Sequence, residues 1–249
     1  MNDTTLKKQL ARLSRRVWSR GVDPMMKKTL LIALAAVLGF ASVVSATPRG
    51  SLPNSDPADP YGDKPRPPFM IPEGTANLAL HKTVTSSTAP TKGSLKMITD
   101  GEKEMIEEYT VELPQGKQWV QVDLTETAVI YAVLFWLGDD SRFRSYHDVV
   151  VQVSDDKEFK KGVKIIFNND HDNSSGFGCG KDYSYGEDYQ GKLVDAKGVS
   201  ARYVRINTNG NTVNLRNHFA EIEVWGLAGK KPGGKMVPLN TRFPKPYFR

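Results

Sequence analysis

No residue set in the chain has the spacing of a common catalytic device. The Gly-x-Ser-x-Gly elbow, the His-Glu-x-x-His helix, the Walker loop and the dinucleotide-binding glycine fingerprint are all missing. The histidines His81, His147, His171 and His218 stand in four separate segments, and Cys179 has none of them near it in sequence to accept a proton. Asp170-His171-Asp172-Asn173-Ser174-Ser175 begins like a calcium loop. An EF-hand, however, needs glycine at the sixth place and a bidentate glutamate at the twelfth. Counted from Asp170 those places hold Ser175 and Lys181, so the segment reads as a polar turn. The residues support no enzyme.

The elements around these residues read as strands. Val120, Val122 and Leu124 alternate with Trp119, Gln121 and Asp123, the period of two expected of a half-buried strand. Val149, Val151 and Val153 repeat the pattern, and residues 130–137 form a near-continuous apolar run suited to a strand buried on both faces. Residues 164–167, 203–207 and 219–225 add further strands, separated by Gly, Asn and Asp clusters. No long helical period intervenes, so the expected fold is all-β, a sandwich or barrel.

The formal charge of +6 suggests a nucleic-acid partner until it is located. Residues 1–46 hold eight basic and two acidic residues, and the tail 229–249 holds six basic and none acidic. Residues 76–228 are left with 17 basic and 22 acidic side chains, and such a domain repels polyanions. Nucleic acid is therefore excluded as a partner. The lone Cys179 rules out an internal disulfide, so the fold must rest on its core or on a bound metal. Flanked by Gly178 and Gly180, Cys179 is expected in a tight loop as a small buried residue.

Lys27-Lys28, the apolar run of residues 30–44 and Val44-Ser45-Ala46 have the order of a secretory signal peptide cut after Ala46. A retained membrane anchor is the alternative, and the true start is Met1, Met25 or Met26. The expected location is thus secreted, periplasmic or at the cell surface. Residues 47–75 carry eight prolines and are expected to be an extended linker. The domain proper spans 76–228, and the basic Gly/Pro/Lys tail 229–249 either lies back on it through its aromatics or projects as an arm.

Six blocks in order now acquire meaning together. They are Asn77-Leu78-Ala79-Leu80-His81-Lys82, Thr99-Asp100-Gly101-Glu102, Trp119-Val120-Gln121-Val122-Asp123-Leu124, Val151-Gln152-Val153-Ser154-Asp155-Asp156, Ala201-Arg202-Tyr203-Val204-Arg205-Ile206 and Ala220-Glu221-Ile222-Glu223-Val224-Trp225-Gly226. In this order they resemble the discoidin, or coagulation-factor type C, family, which shares its fold with galactose-binding-like carbohydrate-binding modules. The resemblance implies a jelly-roll β-sandwich that binds glycans or glycoconjugates without catalysis. The rival function is an adhesion or structural module holding a protein or a membrane surface. The polar loops argue against membrane insertion of the mature domain, and the oligomeric state is left open.

The resemblance also implies sites. A structural calcium would sit where an Asp-Gly loop meets the last strand, with Asp100 and Glu221 as ligands. Relatives follow that turn with a hydroxyl residue and tryptophan, whereas this chain has Glu104-Met105-Ile106-Glu107. Ligand-binding residues would lie on rim loops, here residues 138–148, 168–186 and 208–218. Those loops carry Arg144, His147, Asn211, Asn217 and His218, the planar hydrogen-bonding groups that polyol recognition requires. Phe143, Tyr146, Phe177, Tyr183 and Tyr185 are the candidates for an aromatic face against a sugar ring. The expected site is shallow, and alanine at Arg144 or Asn217 is expected to leave folding nearly untouched.

Overall fold

The structure, a computed structural model, describes residues 65–138, 144–229 and 234–243. The expected signal peptide and N-terminal extension, most of the linker, and Arg142 and Phe143 lie outside the described residues.

In chain order the described strands are β1 (Met70–Pro72), β2 (Ala76–Asn77), β3 (Val84–Ser86), β4 (Val111–Leu113), β5 (Gln118–Trp136), β6 (Val150–Ser154), β7 (Lys164–Asn168), β8 (Lys192–Thr208), β9 (Asn217–Phe219), β10 (Glu221–Ala228) and β11 (Met236–Pro238). The two helical pieces are short 3-10 turns at Leu95–Thr99 and Glu107–Tyr109. The fold is all-β, as expected, and forms a jelly-roll sandwich.

One antiparallel pair organises it. β5 and β8 run alongside each other from Gln118↔Thr208 to Phe135↔Lys192. At one end β3 joins β5 at Val120–Val122, while β6 joins β8 and is itself joined by β7. At the other end β10 pairs with residues 128–136 of β5, and β2 pairs with β10. The same two strands therefore serve both layers, and they bend where the register slips.

Two bulges produce the bend. Pairing stops at Asp123↔Tyr203 and resumes at Ala128↔Ala201. In between, Thr125 takes a φ of 74°, and its N–H bonds the Asp123 carboxylate at 2.8 Å. A second slip falls between Ile130 and Ala132, opposite Lys197 and Gly198, which have φ values of 53° and 72°. An extra residue in one strand bends it and increases its twist, the usual way a strand turns a sandwich corner. Residues 119–124 and 130–137, read from sequence as two strands, are for this reason one bent strand up to Trp136.

The inner faces of both layers close one core. Val120, Val122 and Leu124 from one arm of β5 meet Ile130, Val133, Phe135 and Leu137 from the other, with Val151, Val153, Ile206, Ile222 and Val224. The run after Ile130 is buried on both faces, as its composition predicts. Its other face holds Ala132, Leu134 and Trp136, which form a second cluster with Met105 and Ala220.

The segments before and after the domain build the cover of that second cluster. β1 pairs with β11 with Met70 opposite Pro238, and Phe69, Leu193, Trp225 and Leu239 pack on the cluster. The Arg66 side chain bonds the carbonyls of Gln190 and Gly191, and its guanidinium lies 5.4 Å from the ring centre of Phe243. Phe243 also meets Tyr189 edge-on, with 6.4 Å between ring centres. The boundaries read at 76 and 228 are thus too narrow, and residues 65–75 and 234–243 are part of the folded unit. A proline-rich segment needs few side chains to bury when a partner strand supplies its hydrogen bonds. Gly191 shows how tight the cover is: its φ is 64°, and a Cβ there would come within 2.5 Å of the Trp136 ring.

A chain ending at Gly229 loses β11, Leu239 and the 2.8 Å bond from the Thr241 hydroxyl to Glu223. Its urea unfolding midpoint should fall, with a loss of roughly 2–4 kcal/mol from newly exposed apolar surface and broken pairing. An unchanged midpoint would show that the cover contributes nothing to stability.

Candidate functional site

The ribbon of β4 and β9 carries a polar concavity. Its register sets Glu112 opposite His218, and an isolated bridge sets Lys92 beside Glu112. The row Lys92, Glu112, His218 thus crosses three chain segments on one surface. His218 Nε2 lies 3.3 Å from Glu112 Oε2. Its other ring nitrogen, Nδ1, lies 3.0 Å from Arg144 Nη1 and 3.0 Å from the Tyr146 hydroxyl, which donates to the Gly138 carbonyl at 2.7 Å.

Lys92, Glu112, Arg144 and His218, with Glu107, Thr110, Asn214 and Met105, line a cavity of about 260 Å³. That is near the lower end for a small-molecule site, room for about one sugar ring. Gly138 forms part of the wall because a Cβ there would sit 2.9 Å from His218 Cβ and 3.1 Å from Thr110. Lys92 pairs with Glu107 at 2.6 Å, and Arg216 pairs with Glu112. Burial pushes the Glu112 carboxyl up. Hydrogen bonds from Thr91 and Arg216, with the charges of Arg216 and His218, outweigh it and hold the group below the usual carboxylate range. The cavity therefore offers a fixed carboxylate acceptor beside guanidinium, ammonium and amide donors, a pattern suited to a ring bearing several hydroxyls.

The expected ligand residues divide sharply. Arg144 and His218 come together in this cavity, but both are buried, at 4% and 7% exposure, so the site is recessed rather than shallow. His147 is half-buried and does not line the cavity; its backbone N–H and carbonyl pair with Gly210 and Asn209. Asn211 is fully buried, and its side chain closes the 211–216 loop through Val213, Asn214 and Arg216. Asn217 is also fully buried. Its Oδ1 accepts from the Thr208 hydroxyl and the Gly210 N–H, and its Nδ2 donates to the carbonyls of Pro114 and Gly116. All its hydrogen-bonding capacity is used within the protein, so the expectation that alanine at Asn217 would leave folding untouched is corrected. Asparagine in a polar loop looks the same in sequence whether it faces a ligand or braces the loop.

Glu112, Glu107 and Lys92 were not among the expected site residues. Glu112 alternates with the buried Val111 and Leu113, and that period of two is the signal that could have placed it on an accessible face. Of the aromatic candidates, Tyr146 packs edge-on against His218, and Tyr185 packs into the core against Phe135 and Phe167. Phe177 and Tyr183 are exposed. Cys179 is exposed, against the expectation of burial. Arg202 chelates Asp123 at 2.8 and 2.9 Å, and Arg205 lies between the Trp119 and Phe159 rings, both structural duties as expected of strand arginines.

Two places gather carboxylates. Asp148, Asp170 and Asp172 bring one oxygen each within 4.8 Å of one another. Asp170 already accepts the N–H groups of Ser174 and Ser175, and Asp148 accepts from Ser174 and Asn209, so these groups pin the loop. The second place is the expected calcium site. Glu221 is fully buried, its Oε1 accepts the Gly101 N–H at 3.2 Å, and its Oε2 meets no hydrogen-bond donor. Asp100 lies exposed at the adjoining turn and accepts the Glu102 N–H. Burial pushes the Glu221 carboxyl up to about 9; the Gly101 N–H and Lys103 act against this, while Glu223 and Asp100 add to it. An orphaned carboxyl oxygen beside a second acid is the donor set a hard cation takes. Lys103, paired with Glu223 at 2.8 Å, is the one local feature that lessens the need for it.

Residues 97–206 match the model of the F5/F8 type C family described as the NedA-like, galactose-binding domain, somewhat under half of the chain. The resemblance to the coagulation-factor type C family read from the six blocks holds over these residues. The match runs from the 3-10 turn at Leu95–Thr99 to near the end of β8. No curated protein matches the chain.

Among solved structures, chitosan-binding module 1 of a chitosanase/glucanase from Paenibacillus sp. IK-5 is similar at 19% identity, over 61% of this chain and 99% of that one, with a TM-score of 0.44. A fucose-binding module of Streptococcus pneumoniae is similar at 17% identity, over 60% of this chain and 96% of that one, with a TM-score of 0.44. A family 89 glycoside hydrolase of Clostridium perfringens is similar at 18% identity, over 64% of this chain but 15% of that one, with a TM-score of 0.47.

The Glu221 environment sets a pH dependence for the cation-free protein. Its folded value, about 9, lies above the ordinary 4.5. The unfolded chain therefore releases this proton first, so stability is full below about 4.5 and declines as pH rises towards 9. In chelator, Glu221→Gln should flatten that slope, worth several kcal/mol between the limits. Equal slopes for both proteins in urea titrations at stepped pH would show that Glu221 ionises freely.

Proposed function

We propose that the protein is an exported, non-catalytic module that binds carbohydrate, and that its sugar site is the cavity between Arg144, His218, Glu112 and Asn214. The observation that carries this reading is a cavity of about 260 Å³ whose lining sets the ionised Glu112, paired with Arg216 and His218, beside Arg144 and Lys92. The match to a galactose-binding family supports the ligand class. The side chains are held before ligand arrives, so little ordering entropy opposes binding. A site of this size makes few contacts, and the affinity expected is on the order of micromolar to millimolar unless several copies act together.

A glycan array followed by calorimetry tests the reading. Asn214→Ala removes an amide from the cavity wall and should weaken sugar binding by roughly 1–3 kcal/mol, and His218→Ala should do the same. Lys164→Ala, on an exposed strand of the domain, should leave it unchanged. Full-affinity binding by both cavity variants would move the site elsewhere. An adhesion role at a protein surface would instead give an empty array.

Calcium is the second part of the proposal. Glu221 and Asp100 would hold the ion, and the metal's charge would keep Glu221 ionised inside the fold. The ion supplies structure rather than chemistry. Binding to the native state alone should raise stability by about 2.7 kcal/mol at a hundredfold excess over the dissociation constant. Asp100→Ala should abolish that increment. Identical melting temperatures in calcium and in chelator would refute the site.

A further inference from the structure

Residues of the segments 81–84 and 93–100, with Pro90, line a larger groove that shares no lining residue with the sugar cavity. Its volume is about 710 Å³, and Val84, Pro90, Leu95 and Met97 give it apolar walls. Lys82 and Lys96 line it too. The Lys82 ammonium bonds the neutral Thr125 hydroxyl at 3.0 Å, and Lys96 is exposed. Among the described residues no carboxylate pairs with either. Asp100 is the one carboxylate in the lining, so two lysines against one acid leave the groove positive in a domain that carries 17 basic against 22 acidic side chains.

The groove is also held open. The His81 N–H bonds the Thr99 carbonyl at 2.6 Å, and the Thr99 hydroxyl donates to the Lys82 carbonyl at 2.9 Å, tying one wall to the other. His81 adopts a φ of 57°, a strained conformation for a side chain of its size. Rigid walls lower the entropy lost on binding.

From these features we infer a second binding site in this groove, for a sparsely charged acidic glycan, one whose sugar rings bear carboxylates. The apolar walls suit the C–H faces of sugar rings, and the two ammonium groups suit carboxylates carried on neighbouring rings. The acidic remainder of the domain selects against a densely charged polyanion, which it would repel along its length. This site stands apart from the sugar cavity and does not depend on it.

The test uses the full chain and three probes: a short oligouronate, its methyl ester and a polyglutamate of equal charge. The oligouronate should shift the amide resonances of residues 81–100 and bind more weakly as salt is raised. Its methyl ester should bind at least about tenfold more weakly, as should the Lys82→Ala/Lys96→Ala double variant to the acid form. Asn214→Ala should bind the oligouronate normally, so a failed sugar cavity and a failed groove give different results. Equal binding of the ester, equal binding of polyglutamate, or shifts confined to Arg144 and His218 would each overturn the inference. The ester comparison decides the matter even if the double variant does not fold.

Discussion

The ladder between β5 and β8 is the constraint on which everything else rests. Each strand is long enough to serve two layers, so the sandwich is a continuous ribbon folded at its bulges rather than two separate sheets. Because the fold is made at Thr125 and at Lys197–Gly198, the side chains on either side are handed to different layers without losing their hydrogen bonds. The Asp123–Arg202 pair spans the first corner. Arg202 holds the Asp123 carboxyl below its usual range, against a smaller effect of burial, which ties the bend to a charge-assisted contact. The β4–β9 ribbon that lines the cavity is appended to this ladder and does not contribute to its register.

The β4–β9 ribbon is the appended element that shapes the cavity. It is short, yet its three pairs alternate strictly, with Val111 and Phe219 turned into the core and Glu112 and His218 turned to the cavity. The polar side depends on a buried network, in which Tyr146, Arg144 and the Gly138 carbonyl position one imidazole. Buried polar groups of this kind are costly if partly satisfied and rigid when complete. The cavity is therefore specified by the same packing that stabilises the domain, and its geometry does not wait for a ligand.

Much of this was legible from residues alone, for physical reasons that also explain the failures. The alternation at 119–124 and the apolar run at 130–137 encode burial directly, so the strands and the two-sided core were readable. The first half of β8 was not, because Lys192 to Ala201 contains a bulge that breaks the period of two. Asp100 and Glu221 were placed together only through resemblance, since no local pattern joins residues 121 positions apart; the 3.2 Å bond from the neighbouring Gly101 N–H to Glu221 brings the two turns together. Asn211 and Asn217 were misjudged because loop polarity does not reveal which way an amide points. The β1–β11 cover was missed because proline content suggested an extended linker, and strand pairing between distant segments leaves no trace in composition.

That cover has a consequence under load. The chain enters at β1 and leaves at β11, and Met70 lies directly opposite Pro238. A pull on the two ends would therefore strain the pair one rung at a time, starting with the Arg66–Phe243 contact and the bond from Leu239 to Phe69. Such a zipper opens at low force, whereas the long inner ladder, crossed by several neighbouring strands, resists. In a module loaded through both of its ends, the cover would act as a mechanical fuse, lengthening the connection before the cavity feels the tension.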